Sequence, residues 1–149
     1  MKNIITSILF ILSLTSFTAC STAKSSTTGN ASIIDKTWKL VEINGLVIPP
    51  PDQSRKAPFM ILNTFESRVT GSGGCNSFFG TYELQNDNGI SFSAIGATKM
   101  ACQEGVMQVE SRFFQAFEMA KKFIVNNDTL SLVNPDNVAV AKFVLSDDK

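Results

Sequence analysis

Three cysteines, six glutamates and no histidine bound the chemistry open to this 149-residue chain. Without imidazole there is no Ser-His-Asp or Cys-His nucleophile pair, no histidine-liganded zinc and no histidine acid/base step. Cys75 and Cys102 lack CxxC spacing, and two thiolates alone leave a tetrahedral metal half-liganded. Their possible uses are a redox pair, a metal site or a structural bridge. In an oxidising compartment the structural disulfide is expected, with two free buried thiols as the alternative. The run Gly71-Ser72-Gly73-Gly74 is no dinucleotide fingerprint, because Asn76 stands where the third glycine would fall, and no Lys-Ser/Thr pair completes a P-loop. A bulged or tightly crossed strand is the expectation there. Glu42, Glu66, Glu83, Glu104 and Glu118 alternate with apolar residues as solvated faces do. No metal, cofactor or catalytic residue is assigned.

Cys20 is the odd thiol, and its surroundings say what it is for. Lys2 precedes a mostly apolar run from Ile4 to Phe17, shorter than the roughly 20 residues a spanning helix needs and interrupted by Ser and Thr. It reads as a secretory signal. The "FTAC" that follows resembles the lipobox of bacterial lipoproteins, whose cysteine receives a diacylglyceryl thioether before cleavage on its N-terminal side. Residues 1–19 are therefore expected to be a lipoprotein signal peptide and Cys20 the lipidation site, since several acyl chains on one residue anchor a protein stably. Residues 20–32, small and polar after the cysteine, are expected to form a tether, with an end-to-end distance of roughly 20 Å as a random coil. Ser21 after the cysteine, rather than Asp, points to the outer membrane and its periplasmic face.

The remaining segment, 33–149, is long enough for one core. Net charge is zero and pI about 6.2, so nothing draws it to nucleic acid. Turn signals at Asn44-Gly45, Pro49 to Pro51, Asn86 to Gly89, Asn126 to Asp128 and Asn134 to Asn137 divide it into short pieces. Trp38 to Ile43, Phe59 to Phe65, Arg68 to Thr70, Phe78 to Leu84, Ile90 to Ile95, Phe123 to Val125, Thr129 to Val133 and Val138 to Leu145 have strand composition. Between Glu104 and Lys122, the residues Val106, Val109, Phe113, Phe117 and Ala120 recur at steps of three and four, the stripe of an amphipathic helix. Lys121 and Lys122 would then occupy its last turn. The expected fold is α+β: a twisted antiparallel sheet or partly open barrel of short strands with one main amphipathic helix.

"VTGSGGCNSFFGTYEL" followed by "TKMACQEGVMQVESRFF" resembles the META domain family, the HslJ-like domains of bacterial envelope lipoproteins. Carried over by position, the motif comprises Gly74, Cys75, Asn76, Gly80 and Tyr82, then Thr98, Met100, Ala101 and Cys102, with Glu110 and Phe113 in the helix. Asn63 departs from it, standing where an aromatic or aliphatic residue is more usual. The resemblance places Glu110 beside the motif cysteines, where a hydrogen bond from helix to loop is expected. It further implies lipoprotein context, links to heat, antibiotic or envelope stress, and no established catalytic activity.

The expected function is a membrane-anchored, non-catalytic binding or scaffold module for an envelope protein partner. A carrier of a small apolar ligand in a barrel cavity is the alternative, and a carboxylate- or thiol-dependent enzyme a more distant one. Adjacent strand residues face opposite ways, so with Phe78, Tyr82 and Leu84 inward, Phe79 should point outward as a possible partner surface.

Overall fold

In the computed structural model, residues 33–51 and 56–146 are described. They form nine strands and one helix: β1 Thr37–Ile43, β2 Leu46–Val47, β3 Phe59–Asn63, β4 Arg68–Ser72, β5 Ser77–Gln85, β6 Gly89–Ala97, α1 Glu104–Met119, β7 Lys122–Asn126, β8 Thr129–Val133 and β9 Ala139–Leu145. Every pairing between strands is antiparallel, and most join strands linked by short turns. From β3 to β9 each strand pairs with the next in sequence; β1 closes the circle by pairing with β3 on one edge and β9 on the other. The outcome is the α+β, partly open barrel read from the sequence.

The barrel is weakest between β6 and β7, whose register holds one residue pair, Gly89 with Lys122. Two flanking bonds help: the Ile90 N–H donates to Lys121 O at 3.0 Å and the Phe123 N–H to Asn88 O at 2.9 Å. This is where the chain leaves the sheet to build α1, which packs against β6, β1 and β9.

Apolar alternation decides which faces turn inward. In β1, Trp38 and Leu40 are buried; a bulge against β9 between Leu40 and Glu42 then resets the phase so that Ile43 is buried too. The indole N–H of Trp38, which needs a partner once buried, donates to Ile33 O at 2.9 Å. The helix adds Phe113, Ala116 and Phe117 to the same core. Phe78 of β5 meets Phe113 edge-on at 5.7 Å, and Phe113 lies 5.7 Å from Phe143 of β9.

Several boundaries differ from the sequence expectation. β3 stops at Asn63, and Phe65, expected to end a strand, is 75% exposed in a single 3-10 turn where Glu66 has φ 52°. The helix ends at Met119 because Ala120 is already extended (ψ 133°). Lys121 and Lys122 therefore lie beyond its last turn, and Lys122 opens β7. The stripe misleads at Ala120 because that residue is buried while leaving the helix. Among the described residues no helix is long and apolar enough to cross a membrane.

Candidate functional site

Helical spacing puts Glu110 one turn before Phe113, on the buried side of α1, where only 8% of it is exposed. A buried carboxylate must be hydrogen-bonded to be tolerated, and Asn76 supplies two donors. Its backbone N–H donates to Glu110 Oε2 at 2.6 Å and its Nδ2 to Oε1 at 2.7 Å. The Asn76 Oδ1 accepts in turn from the Thr98 hydroxyl at 2.8 Å and the Met100 N–H at 2.7 Å. One asparagine thus joins the loop after β4, the loop after β6 and the helix. The disulfide between Cys75 and Cys102 spans the same two loops, with Cα atoms 6.0 Å apart.

The β4–β5 loop is shaped to admit this carboxylate. A Cβ on Gly73 would stand 2.6 Å from both Glu110 Cγ and Oε2, closer than any side chain permits. The Gly73 N–H closes the turn onto Asn76 O at 2.8 Å, and Gly74 takes φ +102°, a conformation glycine adopts without strain. Chemically the cluster is a clamp: both carboxylate oxygens already accept strong hydrogen bonds, a geometry for rigidity rather than proton transfer. Among the described residues no group of three or more His, Cys, Asp or Glu could hold a metal ion.

Above the clamp lies a shallow, open depression touching Met100, Met107 and Phe114. A more enclosed feature lies against the Gly73-Gly74 loop. This cleft of about 330 Å³ runs between β2 with the residues after it, the Gly73-Gly74 loop and the first turns of α1. Leu46, Val47, Ile48, Pro58, Val106 and Val109 make it apolar, and Lys56 is the charged residue of its lining among the described residues. Val47 is 70% exposed there.

Of the residues singled out in the sequence, Cys75, Asn76, Thr98, Met100, Cys102 and Glu110 meet at the clamp, with Gly74 in its loop and Ala101 exposed beside Cys102. Phe113 is core. Gly80 and Tyr82 lie farther along β5. Gly80 sits at a bulge against β6, where a Cβ would come within 2.5 Å of Ile95, and Tyr82 donates its hydroxyl to Asn63 O at 3.1 Å. Asn63, the departure from the motif, spends its amide on Thr70 Oγ1 at 3.0 Å. Phe79 is 56% exposed, pairs across the strand with Gly96 and takes no part in clamp or cleft, while Phe78 is buried. Cys20 lies outside the described residues. The cleft itself went unread in the sequence; its signals were the apolar pair Leu46-Val47 after a tight turn and the prolines that follow.

A family model described as META domain matches residues 31–147. Two solved NMR structures have the same fold. One, of a protein from Burkholderia xenovorans, is 24% identical with a TM-score of 0.63, over 79% of this chain and 86% of that one. The other is 17% identical with a TM-score of 0.62, over 78% and 94%. At these identities the likeness shows the fold alone. No curated protein sequence matches the chain. Neither the family description nor these structures points to a catalysed reaction.

Proposed function

The chain belongs to the META domain family, and from that premise we propose that it is a non-catalytic binding module tethered at the cell envelope, serving there in the response to envelope, heat or antibiotic stress. The observation carrying this proposal is the apolar cleft beside a clamped loop. A concave, mostly apolar surface on a rigid frame is what recognition of a partner needs. The clamp and disulfide spare the frame the entropy of ordering at each encounter. The spacing of small residues before Cys20 supports a lipid anchor at the outer membrane, with the domain on the periplasmic side. The carrier alternative is drawn to the same cleft, because fully buried Trp38, Phe113, Phe117 and Phe143 occupy the barrel interior.

A photo-crosslinking residue at position 47 of the full chain, used in intact envelopes, tests this proposal. Discrete protein adducts are expected from Val47 and not from Ile124, an exposed residue of β7. Replacing Cys20 by Ser should move the protein out of the membrane fraction. Equal labelling from both positions would remove the cleft from the account, and retention of Cys20→Ser in the membrane would remove the anchor.

A further inference from the structure

We propose that the cleft receives an extended segment of a partner polypeptide, which adds to the open edge of β2 and sets a carboxylate against Lys56. The proposal rests on the binding-module reading and names the class of its ligand.

Backbone parity carries the argument. β1 and β2 pair Glu42 with Val47 and Ile43 with Leu46 around the turn at Asn44-Gly45. Continuing that register, the Ile48 N–H donates to Val41 O at 2.8 Å. In an antiparallel pair, residues that exchange hydrogen bonds alternate with residues that do not. Ile48 and Leu46 therefore turn their backbone groups toward β1, and Val47 turns its N–H and C=O away from it. No hydrogen bond to either group is made among the described residues. Leu46, Val47 and Ile48 line the cleft, so the unused donor and acceptor of Val47, set as one rung of a sheet ladder, border an apolar cleft. A strand edge of this kind is a template for an added strand.

The surroundings limit what can be added. Pro49 has no N–H to extend the ladder, and the Asn44-Gly45 turn closes the other end, so one rung is available and the guest is short. Ile48, Val106 and Val109 offer apolar contact to alternate side chains of the guest. Among the described residues Lys56 is the one charge in the lining, which selects a segment carrying an acidic group over a neutral or basic one.

The test uses the full-length chain in detergent and a fluorescent heptapeptide, Thr-Val-Thr-Val-Thr-Val-Glu, with affinity read by anisotropy. Two further copies carry N-methyl groups on either the odd or the even residues, and a third ends in Lys. Strand addition is expected to make one methylated copy at least about tenfold weaker and to spare the other, because only alternate N–H groups face β2. Val47→Pro, which removes the outward donor, should weaken the parent peptide about as much. Lys56→Glu should reverse the preference between the Glu and Lys peptides. Absence of parent-peptide binding at millimolar concentration, or equal binding of both methylated copies, would overturn the proposal; the methylated copies decide it even if Val47→Pro fails to fold. Should these arms fail while Val47 crosslinks persist in envelopes, the binding function stands and the strand-addition geometry falls.

Discussion

Glu110 is worth more to this domain as a structural acceptor than a carboxylate ordinarily is. Both of its oxygens receive N–H groups of Asn76, and removing it would leave the buried Asn76 backbone N–H without its partner and Nδ2 with only a long 3.5 Å contact to Met100 O. Glu110→Ala should therefore cost about 3 kcal/mol in denaturant unfolding, the range for charge-assisted hydrogen bonds together with an orphaned buried donor. A loss below about 0.5 kcal/mol would show that the clamp bears no weight. Asp35 makes a separate prediction in pH. Hydrogen bonds from the Thr64 hydroxyl and N–H hold its carboxyl below the usual carboxylate value. A depressed folded value means a contribution that is present at neutral pH and lost as pH falls through that value. Asp35→Asn, which tolerates the local φ of 53°, should thus be less stable than the parent at neutral pH, with the gap closing below about pH 4. Urea midpoints at stepped pH measure this, and a gap that widens in acid contradicts it. Residue faces were legible where alternation governs them, as at Phe78 and Phe79. The helix-to-loop hydrogen bond of Glu110 followed from the family resemblance, but its partner Asn76 did not, because no local pattern states which buried donor will meet a carboxylate 34 residues away.

At the scale of elements, the disulfide and the Asn76 hydrogen bonds restrain the same two loops by independent means. A bridge across 27 positions stabilises by about 3.5 kcal/mol on the chain-entropy model. The double variant Cys75→Ala/Cys102→Ala should lose up to that amount yet keep its fold, because Asn76 still binds Thr98, Met100 and Glu110. Denaturation midpoints with an unchanged m-value would bear this out, and a collapse of near-UV signal in native buffer would contradict it. Strands with turn residues at both ends could be read from composition, as could the helix from its stripe. β2 could not, since two residues carry no periodicity, and neither could the C-terminus of α1, where burial of Ala120 prolongs the stripe past the last helical residue. The 3-10 turn at Phe65 was hidden for the opposite reason: an aromatic suggested a strand where the chain was already turning.

Over the whole molecule, the closing contact joins elements from opposite ends of the domain, β1 and β9. Sequence could indicate a barrel-like outcome but not that seam, which depends on non-local pairing. The cleft is likewise a product of assembly, drawing its walls from β2, the β4–β5 loop and α1. Its apolar lining at Val106 is not part of the hydrophobic core, so recognition and stability are separable there. The most direct test of the binding account is Val106→Asp in the full chain, a substitution that the first helical turn tolerates electrostatically. The account predicts unfolding free energy within about 0.5 kcal/mol of the parent, as for other surface changes, together with loss of the adducts formed from position 47 in intact envelopes. Adducts undiminished by the added charge, at unchanged stability, would contradict it.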